Sequence, residues 1–326
     1  MKKAEVNIAQ SQKIGQIVRD LVFKPTFLYR PFLSISIIAS LKASMYYYAV
    51  GICHQTYNLT NSKLSLFGWD FLEYGFIEIA QQKPELLDKN HLLSLSTTKL
   101  IEEIKPFFSE DHKASNCTLD RLEERATLWL EMATLLQELE TTAYDLAKNN
   151  TITSFYNKLA GTLAYSDPLQ KKSSFFMKLL EDANLHSYGE SAEITPIMDY
   201  HMQRVLLRTG CVEIIDKETK NILQKRIEIN DDSEIRKACI ESMKIIAQTS
   251  SYSVLKMNDV FYTLGRSCCL ENLLCQGHSC EKTPCTLSLA VELGEHKECI
   301  FQKVCKGAHN LDYQKYWQPM VDTHYY

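Results

Sequence analysis

The chain has 326 residues, a formal net charge of −4 at pH 7, 45% hydrophobic residues and 23% charged residues. This composition is typical of a globular protein and argues against an intrinsically disordered chain. The negative charge argues against a broadly basic surface for unspecific binding of nucleic acids. The length is sufficient for one large helical domain or for two smaller lobes.

The N-terminal part contains a short apolar run but no export signal. Residues 32–41 form the longest apolar run there, and it is about half of the roughly 20 residues that a membrane-spanning helix needs. No hydrophobic signal core follows Met1-Lys2-Lys3. We therefore expect an intracellular protein that does not span a membrane, cytoplasmic or, in a eukaryote, nuclear.

Helical periodicity dominates the rest of the chain. The pattern predicts a mostly α fold, with two helical lobes that meet near residues 165–205. The segment 210–229 is compatible with a short strand or a turn. Helices are predicted at 12–56 with a break near Lys24-Pro25, and at 62–82, 120–148, 155–164, 172–182, 199–208, 234–248 and 253–264.

A lysine and an aspartate start two of these helices. Lys172 heads one helix, and Asp199 follows the extended apolar segment 194–198 and precedes a helix that Gly210 ends. Cleavage of an N-glycosidic bond needs an anion that stabilises an oxocarbenium-like sugar, and a lysine can capture the sugar as a Schiff base. The alternatives are structural: aspartate is a favoured helix N-cap, and Lys172 would be an ordinary solvated lysine. Lys171 and Lys178 are rival nucleophiles.

The order of a lysine-headed helix, a polar loop and Pro196-x-x-Asp199-x-His201-Met202 resembles a known catalytic region. It is similar to that of the helix-hairpin-helix base-excision DNA glycosylases, particularly the 8-oxoguanine DNA glycosylases, over about residues 167–210. The resemblance implies a two-lobed helical DNA-glycosylase-like fold. It also implies that Lys172 is the Schiff-base lysine, that Asp199 is the charge-stabilising carboxylate and that His201 lies near the substrate.

Seven of the eleven cysteines lie between Cys268 and Cys305. In a reducing compartment such a cluster indicates metal binding rather than disulfide bonds. The lack of a Cys-x-x-Cys pair argues against an ordinary zinc ribbon. Structural thiols without a metal are the alternative.

The cysteine segment resembles the iron–sulfur loop of endonuclease III-type glycosylases. Leu264-Gly265-Arg266 precedes a cysteine, as at the start of that loop, and the Pro284-Cys285 pair and the final spacing are similar. The resemblance implies a C-terminal cysteine-rich metal loop that binds a [4Fe–4S] cluster, with zinc as the alternative. The expected ligands are Cys280, Cys285, Cys299 and Cys305, with Cys269 or Cys275 as substitutes.

The resemblance predicts an enzyme, an N-glycosylase that releases a modified or damaged purine base from DNA in base-excision repair. Lysine-dependent AP-lyase activity remains open. One alternative is an N-glycosidase of a free modified nucleotide such as queuosine phosphate, because the Asp199-Tyr200 segment also resembles the queuosine-nucleotide glycosidases. Another alternative is a non-catalytic, metal-stabilised binding module.

We expect a monomer with a helical domain at 1–265, a catalytic region at about 155–215, and a cysteine-rich loop and tail at 266–326.

Overall fold

A computed structural model of the protein describes residues 2–280, 282–294 and 296–326. The chain forms two compact units. The terminal unit consists of Met1–Phe27 and Ile194–Asp322, and the central unit consists of Leu28–Glu193 and Thr323–Tyr326. The fold is mostly helical, as predicted. None of the helices within the described ranges combines the length and the apolar character needed to cross a membrane.

The helices and strands are numbered in chain order. Two antiparallel pairs of short strands join β1 (Ala4–Val6) to β4 (Val212–Ile214), and β2 (Thr60–Asn61) to β3 (Leu66–Phe67). Short 3₁₀ turns lie at Pro25–Tyr29, Pro84–Leu87, Lys105–Phe108, Ala114–Asn116, Leu163–Tyr165 and Leu274–Gln276. The α-helices are α1 (Ile8–Arg19), α2 (Pro31–Ser34), α3 (Ala39–Gly51), α4 (Trp69–Gln82), α5 (Lys89–Leu92), α6 (Thr97–Ile104), α7 (Leu122–Glu138), α8 (Ala143–Lys148), α9 (Ile152–Leu159), α10 (Lys171–Asp182), α11 (Tyr200–Thr209), α12 (Lys217–Lys225), α13 (Ser233–Ser250), α14 (Met257–Ser267), α15 (Thr286–Ala290), α16 (Lys306–His309) and α17 (Leu311–Gln314).

The central unit contains α2 to α10 and has an aromatic core. Tyr48 of α3 stacks on Trp129 of α7, with ring centroids 5.6 Å apart, and Phe76 of α4 stacks on the same indole at 4.9 Å. All three side chains are fully buried. Large aromatic side chains bury much apolar surface, so this stack ties α3, α4 and α7 into one core.

The helix predicted over residues 120–148 is two helices, α7 and α8. The chain leaves the helical path at Glu140, which has a φ of 48°, and α8 restarts with Thr142 as its N-cap. The N-cap position of α7 is Arg121, so Asp120 lies just before the helix. The Asp120 carboxylate accepts a hydrogen bond from the buried Arg125 guanidinium at 3.0 Å.

The terminal unit combines the first helix with the C-terminal third of the chain. Helix α1 packs along α13, where the hydroxyls of Ser11 and Ser242 are 2.9 Å apart. Helix α11 packs on both α13 and α14. The two compact units are defined by contacts in space, whereas the predicted domains, residues 1–265 and 266–326, are continuous segments of the sequence. The predicted domain division therefore stays a prediction.

The contact between α11 and α14 requires a residue without a side chain at position 265. A Cβ on Gly265 would lie 2.8 Å from the backbone oxygen of His201. We expect Gly265→Ala to lower the free energy of unfolding by about 1–3 kcal/mol, because the backbone cannot move aside as a flexible side chain would. Urea denaturation measures this change.

The matched control is Gly294→Ala. A Cβ at Gly294 has no heavy atom of the described residues within 4 Å, so its effect should stay within about 0.5 kcal/mol. Equal free energies of unfolding for the two variants would contradict a tight contact between Gly265 and the backbone of His201.

Candidate metal centre

Four side chains that follow α14 converge on one point of the terminal unit. They are Cys268, Cys280, Cys285 and His296, which we call the cysteine–histidine group, and their ligand atoms all lie within 4.8 Å of one another. The sulfur of Cys268 is 3.5 Å from the sulfurs of Cys280 and Cys285. The Nε2 atom of His296 is 3.4, 3.2 and 3.1 Å from the sulfurs of Cys268, Cys280 and Cys285, in that order.

These distances fit a single tetrahedral ion. Zinc binds thiolate sulfur at ~2.3 Å and imidazole nitrogen at ~2.0 Å, which places tetrahedral sulfurs about 3.8 Å apart and sulfur and nitrogen about 3.6 Å apart. The observed separations are a few tenths of an ångström shorter, so small movements of the side chains would accommodate an ion. The group could therefore hold a metal ion, which is compatible with the metal cofactor expected in the cysteine-rich segment.

Local hydrogen bonds favour the thiolate form of one cysteine of this centre, Cys285. The hydrogen bond from the Cys268 thiol lowers the pKa of Cys285, whereas the same hydrogen bond raises the pKa of Cys268 and burial raises the pKa of Cys280. The Ser267 hydroxyl is 3.3 Å from the Cys285 sulfur and further lowers the pKa of Cys285. Thiolate, not thiol, is the form of cysteine that binds metals, so the lowered pKa favours Cys285 as a ligand.

His296 occupies an unusual backbone conformation. Its φ of 41° lies in the left-handed region, which non-glycine residues adopt at a cost and which persists where the surroundings require it. Its buried Nδ1 atom has no hydrogen-bond partner among the described residues. The ring is thus held mainly by the approach of Nε2 to three sulfurs, which is the orientation of a metal ligand.

The structure divides the four ligands expected from the sequence between two groups. Cys280 and Cys285 belong to the cysteine–histidine group, whereas Cys299 and Cys305 line a small cavity that Cys268 also borders. Sequence reasoning missed Cys268, because the resemblance to the iron–sulfur loop favoured the later cysteines, and it missed His296, because only cysteines were considered as ligands. The sequence did contain a signal for His296 as a ligand, because this histidine lies between Cys285 and Cys299 in the same segment.

A second group of cysteines surrounds that cavity. Cys269, Cys275, Cys299 and Cys305, which we call the four-cysteine group, line it together with Cys268 and with residues of α11 and α14. Burial, followed by the charge of the neighbouring Cys269, raises the pKa of Cys305 to about 12. Burial and Cys269 likewise raise the pKa of Cys275.

Lys172 lies in the first turn of α10, in the central unit. Its side chain is fully buried and its Nζ donates a hydrogen bond to the backbone oxygen of Gly51 at 2.5 Å. Burial lowers the pKa of this amine to about 7. The rivals have other partners: the Lys171 amine is 3.5 Å from the Cys53 sulfur, and Lys178 forms an ion pair with Asp182 at 2.9 Å.

Asp199 lies in the terminal unit and is the N-cap of α11. Its Oδ1 accepts a hydrogen bond from the backbone N–H of Met202 at 2.9 Å, and Gly210, with a φ of 76°, ends the helix as expected. His201 lies one turn before Arg204, whose guanidinium is 3.1 Å from its Nδ1. Burial, followed by the charge of Arg204, lowers the pKa of His201, so the ring is neutral at neutral pH.

Lys172 and Asp199 belong to different compact units, and their cooperation stays a prediction. No protein-family model matches the chain, and no curated protein matches it significantly. What the structure defines is a mostly helical protein with a candidate metal centre of three cysteines and one histidine.

Removal of one ligand should abolish metal binding at this centre. We expect Cys285→Ser to lower the content of one metal by about one equivalent per chain, because a hydroxyl is a poor substitute for a thiolate ligand. Elemental analysis by mass spectrometry measures the loss. Cys117→Ser is the control, since Cys117 is a free cysteine of the central unit. Unchanged metal content in Cys285→Ser would contradict the assignment.

Proposed function

We propose that the protein is an N-glycosylase that releases a modified or damaged purine base from DNA and that carries a structural zinc ion in its cysteine–histidine group. In this proposal Asp199 stabilises the positive charge that develops on the sugar. Lys172 is the residue that can add lyase activity, and His201 lies near the substrate.

The observation that carries the proposal is the position of Asp199. The segment before it contains no regular secondary structure, Asp199 itself has extended backbone angles (φ −104°, ψ 178°), and α11 begins at the next residue. This is the arrangement of extended segment, aspartate and helix start on which the resemblance to the glycosylases depends. One carboxylate oxygen caps the helix, which fixes the position of the charge at the start of α11.

The environment of Lys172 supports a nucleophilic role. With a pKa of about 7, a large fraction of this amine is neutral at neutral pH, and a neutral amine is the form that attacks a sugar carbon. The amine donates to the Gly51 carbonyl, so attack requires that this hydrogen bond be broken.

The donor set of the cysteine–histidine group favours zinc. Three thiolates and one imidazole are a common structural zinc set, and four protein ligands leave no position for water or substrate. Zinc at this site would brace a loop and would take no part in bond cleavage. The described ligands come from the segment between α14 and α16, which has little regular structure of its own.

A free modified nucleotide, such as queuosine phosphate, is the second candidate substrate. The net charge of −4 and the turn Asp167-Pro168-Leu169-Gln170 favour it, because a glycine-rich hairpin that could approach a DNA phosphate is missing there. The two substrates differ in their dependence on salt: release of a base from DNA should weaken steeply as salt rises, whereas hydrolysis of a nucleotide should not.

The first test is Asp199→Asn. Asparagine caps helices about as well as aspartate, so this change removes the charge and retains the fold. We expect the rate of base release to fall about 100-fold or more, measured on oxidised DNA and on modified nucleotides. Asp216→Asn is the matched control, because Asp216 caps α12 in the same way, with Oδ2 2.7 Å from the Thr219 nitrogen.

Equal rates in the Asp199→Asn and Asp216→Asn variants would refute a catalytic role for Asp199. If neither substrate loses its base with the unaltered protein, the non-catalytic binding module replaces both enzymatic proposals.

The second test is covalent trapping by borohydride on DNA that carries a damaged purine. Water first cleaves the glycosidic bond and the base leaves; the Lys172 amine then adds to the C1′ aldehyde of the opened sugar, water leaves as the imine forms, and borohydride reduces the imine to a stable amine. We expect Lys172→Gln to abolish trapping, and Lys171→Gln and Lys178→Gln to retain it. If the Lys172→Gln variant is still trapped on the DNA, another lysine reacts with the sugar. Absence of trapping together with loss of base release in Asp199→Asn would indicate glycosylase activity without lyase activity.

A further inference from the structure

A thiol and an amine face each other in the central unit. The Nζ atom of Lys171, in the first turn of α10, lies 3.5 Å from the sulfur of Cys53, which follows α3. Both residues belong to the same compact unit. Cys53 is a free cysteine that is partly exposed, so a small solute can reach its sulfur. The two side chains are therefore placed to react with a small reagent and with each other.

The surroundings of the Lys171 amine differ from those of an ordinary buried lysine. The residue is only 7% exposed, yet none of the carboxylates within the described ranges pairs with its amine. The contacts of Nζ are the Cys53 sulfur and the ring of Phe175, whose centroid is 5.3 Å away. Buried ammonium groups normally have a carboxylate partner. The thiol of Cys53 takes the place of that partner.

Positive charge surrounds the thiol on more than one side. The amine of Lys172 interacts electrostatically with Cys53 as well as with Lys171. Reactive cysteines are partly exposed and lie beside positively charged side chains, which stabilise the nucleophilic thiolate. The position of Cys53 meets both conditions.

The backbone is anchored on both sides of the pair. The buried guanidinium of Arg125 donates to the backbone carbonyls of the two residues that flank Cys53. The backbone N–H of Lys171 donates to the carboxylate of Asp167 at 3.0 Å. Contact between sulfur and nitrogen therefore requires only rotation of the two side chains, and the flexible four-carbon stem of a lysine permits such rotation.

We propose that Cys53 and Lys171 are a redox modification site, at which an oxidant of the peroxide class joins the two side chains by a sulfur–nitrogen bond. The thiolate of Cys53 attacks one oxygen of hydrogen peroxide, the O–O bond breaks, and the second oxygen leaves as water, so that a sulfenic acid forms. The neutral amine of Lys171 then attacks the sulfur. The S–O bond breaks, and the hydroxyl group leaves as water with one amine proton. The pair loses two hydrogen atoms and two electrons, and peroxide is reduced to two molecules of water.

A crosslink at this place would control the neighbouring lysine. The amine of Lys172 donates to the carbonyl of Gly51, two residues before Cys53. The crosslink would tie the first turn of α10 to the turn that carries this carbonyl, and so hold Lys172 in its bound position. Attack on a sugar requires the opposite movement. This consequence rests on the proposed function of Lys172, whereas the crosslink itself does not.

Peptide mass spectrometry of the unaltered protein after treatment with hydrogen peroxide tests the crosslink. We expect the peptide that contains Cys53 to be joined to the peptide that contains Lys171, with a combined mass lower by two hydrogen atoms, and dithiothreitol to separate them. Cys117 is the internal control, because it is partly exposed, its sulfur faces the Leu119 carbonyl, and burial raises its pKa. Its oxidation should be about 10-fold slower or more.

Two variants separate the steps of the reaction. Lys171→Arg retains a positive charge, but a guanidinium does not become a neutral nucleophile. We expect this variant to stop at the sulfenic acid of Cys53, which dimedone captures. Cys53→Ser should give neither product. Equal rates of oxidation at Cys53 and Cys117 would overturn the proposal. So would unaltered protein in which Cys53 gains oxygen, or forms a disulfide, without becoming joined to Lys171.

Cleavage of a DNA strand at an abasic site measures the effect on Lys172. We expect peroxide to lower this activity about 10-fold or more, because the amine cannot reach the sugar, and dithiothreitol to restore it. Cys53→Ser should resist peroxide. Unchanged cleavage by the crosslinked protein would overturn the control of Lys172. If the unaltered protein releases no base and cleaves no strand, the proposed function fails, and the mass of the joined peptides still decides the crosslink.

Discussion

The guanidinium of Arg204 holds the parts of the terminal unit together. This side chain is fully buried, and a buried charge is tolerated only when its N–H groups find acceptors. It donates to the carbonyls of Gly265 at 2.6 Å and Cys269 at 2.8 Å, and to the side chain of Gln318. Its plane lies over the Trp317 ring at 4.5 Å. One residue of α11 thereby fixes the end of α14, the start of the cysteine segment and the C-terminal tail.

This arrangement gives α11 two roles. Asp199 caps its first turn, and Arg208 in its last turn contacts the four-cysteine group. Arg208 also lies 5.3 Å from the Trp317 ring, which adds to the contacts that Arg204 makes with the same indole. The residue proposed for catalysis and the arginine that contacts the four-cysteine group therefore lie on one short helix. A metal that orders the cysteine segment would stabilise the helix that presents Asp199.

In the central unit the corresponding constraint is burial of an amine within an aromatic core. The Lys172 amine binds the carbonyl of Gly51 at the end of α3, the helix that also carries Tyr47. That tyrosine stacks on Tyr165 with ring centroids 5.4 Å apart and an angle of 8° between the planes. Such surroundings disfavour the ammonium form, which explains why burial is the main cause of the lowered pKa.

Features that local chemistry controls could be predicted from the amino-acid sequence. Asp199 and Gly210 mark the ends of α11, because a carboxylate can cap a helix start and glycine readily takes the left-handed conformation that ends one. The break at Glu140 was not predictable, since neither glycine nor proline marks it. The grouping of the cysteines required the folded structure: Cys268 and Cys269 are adjacent in sequence, yet they join different groups, because ligands meet through the path of the folded loops and not through their spacing along the chain.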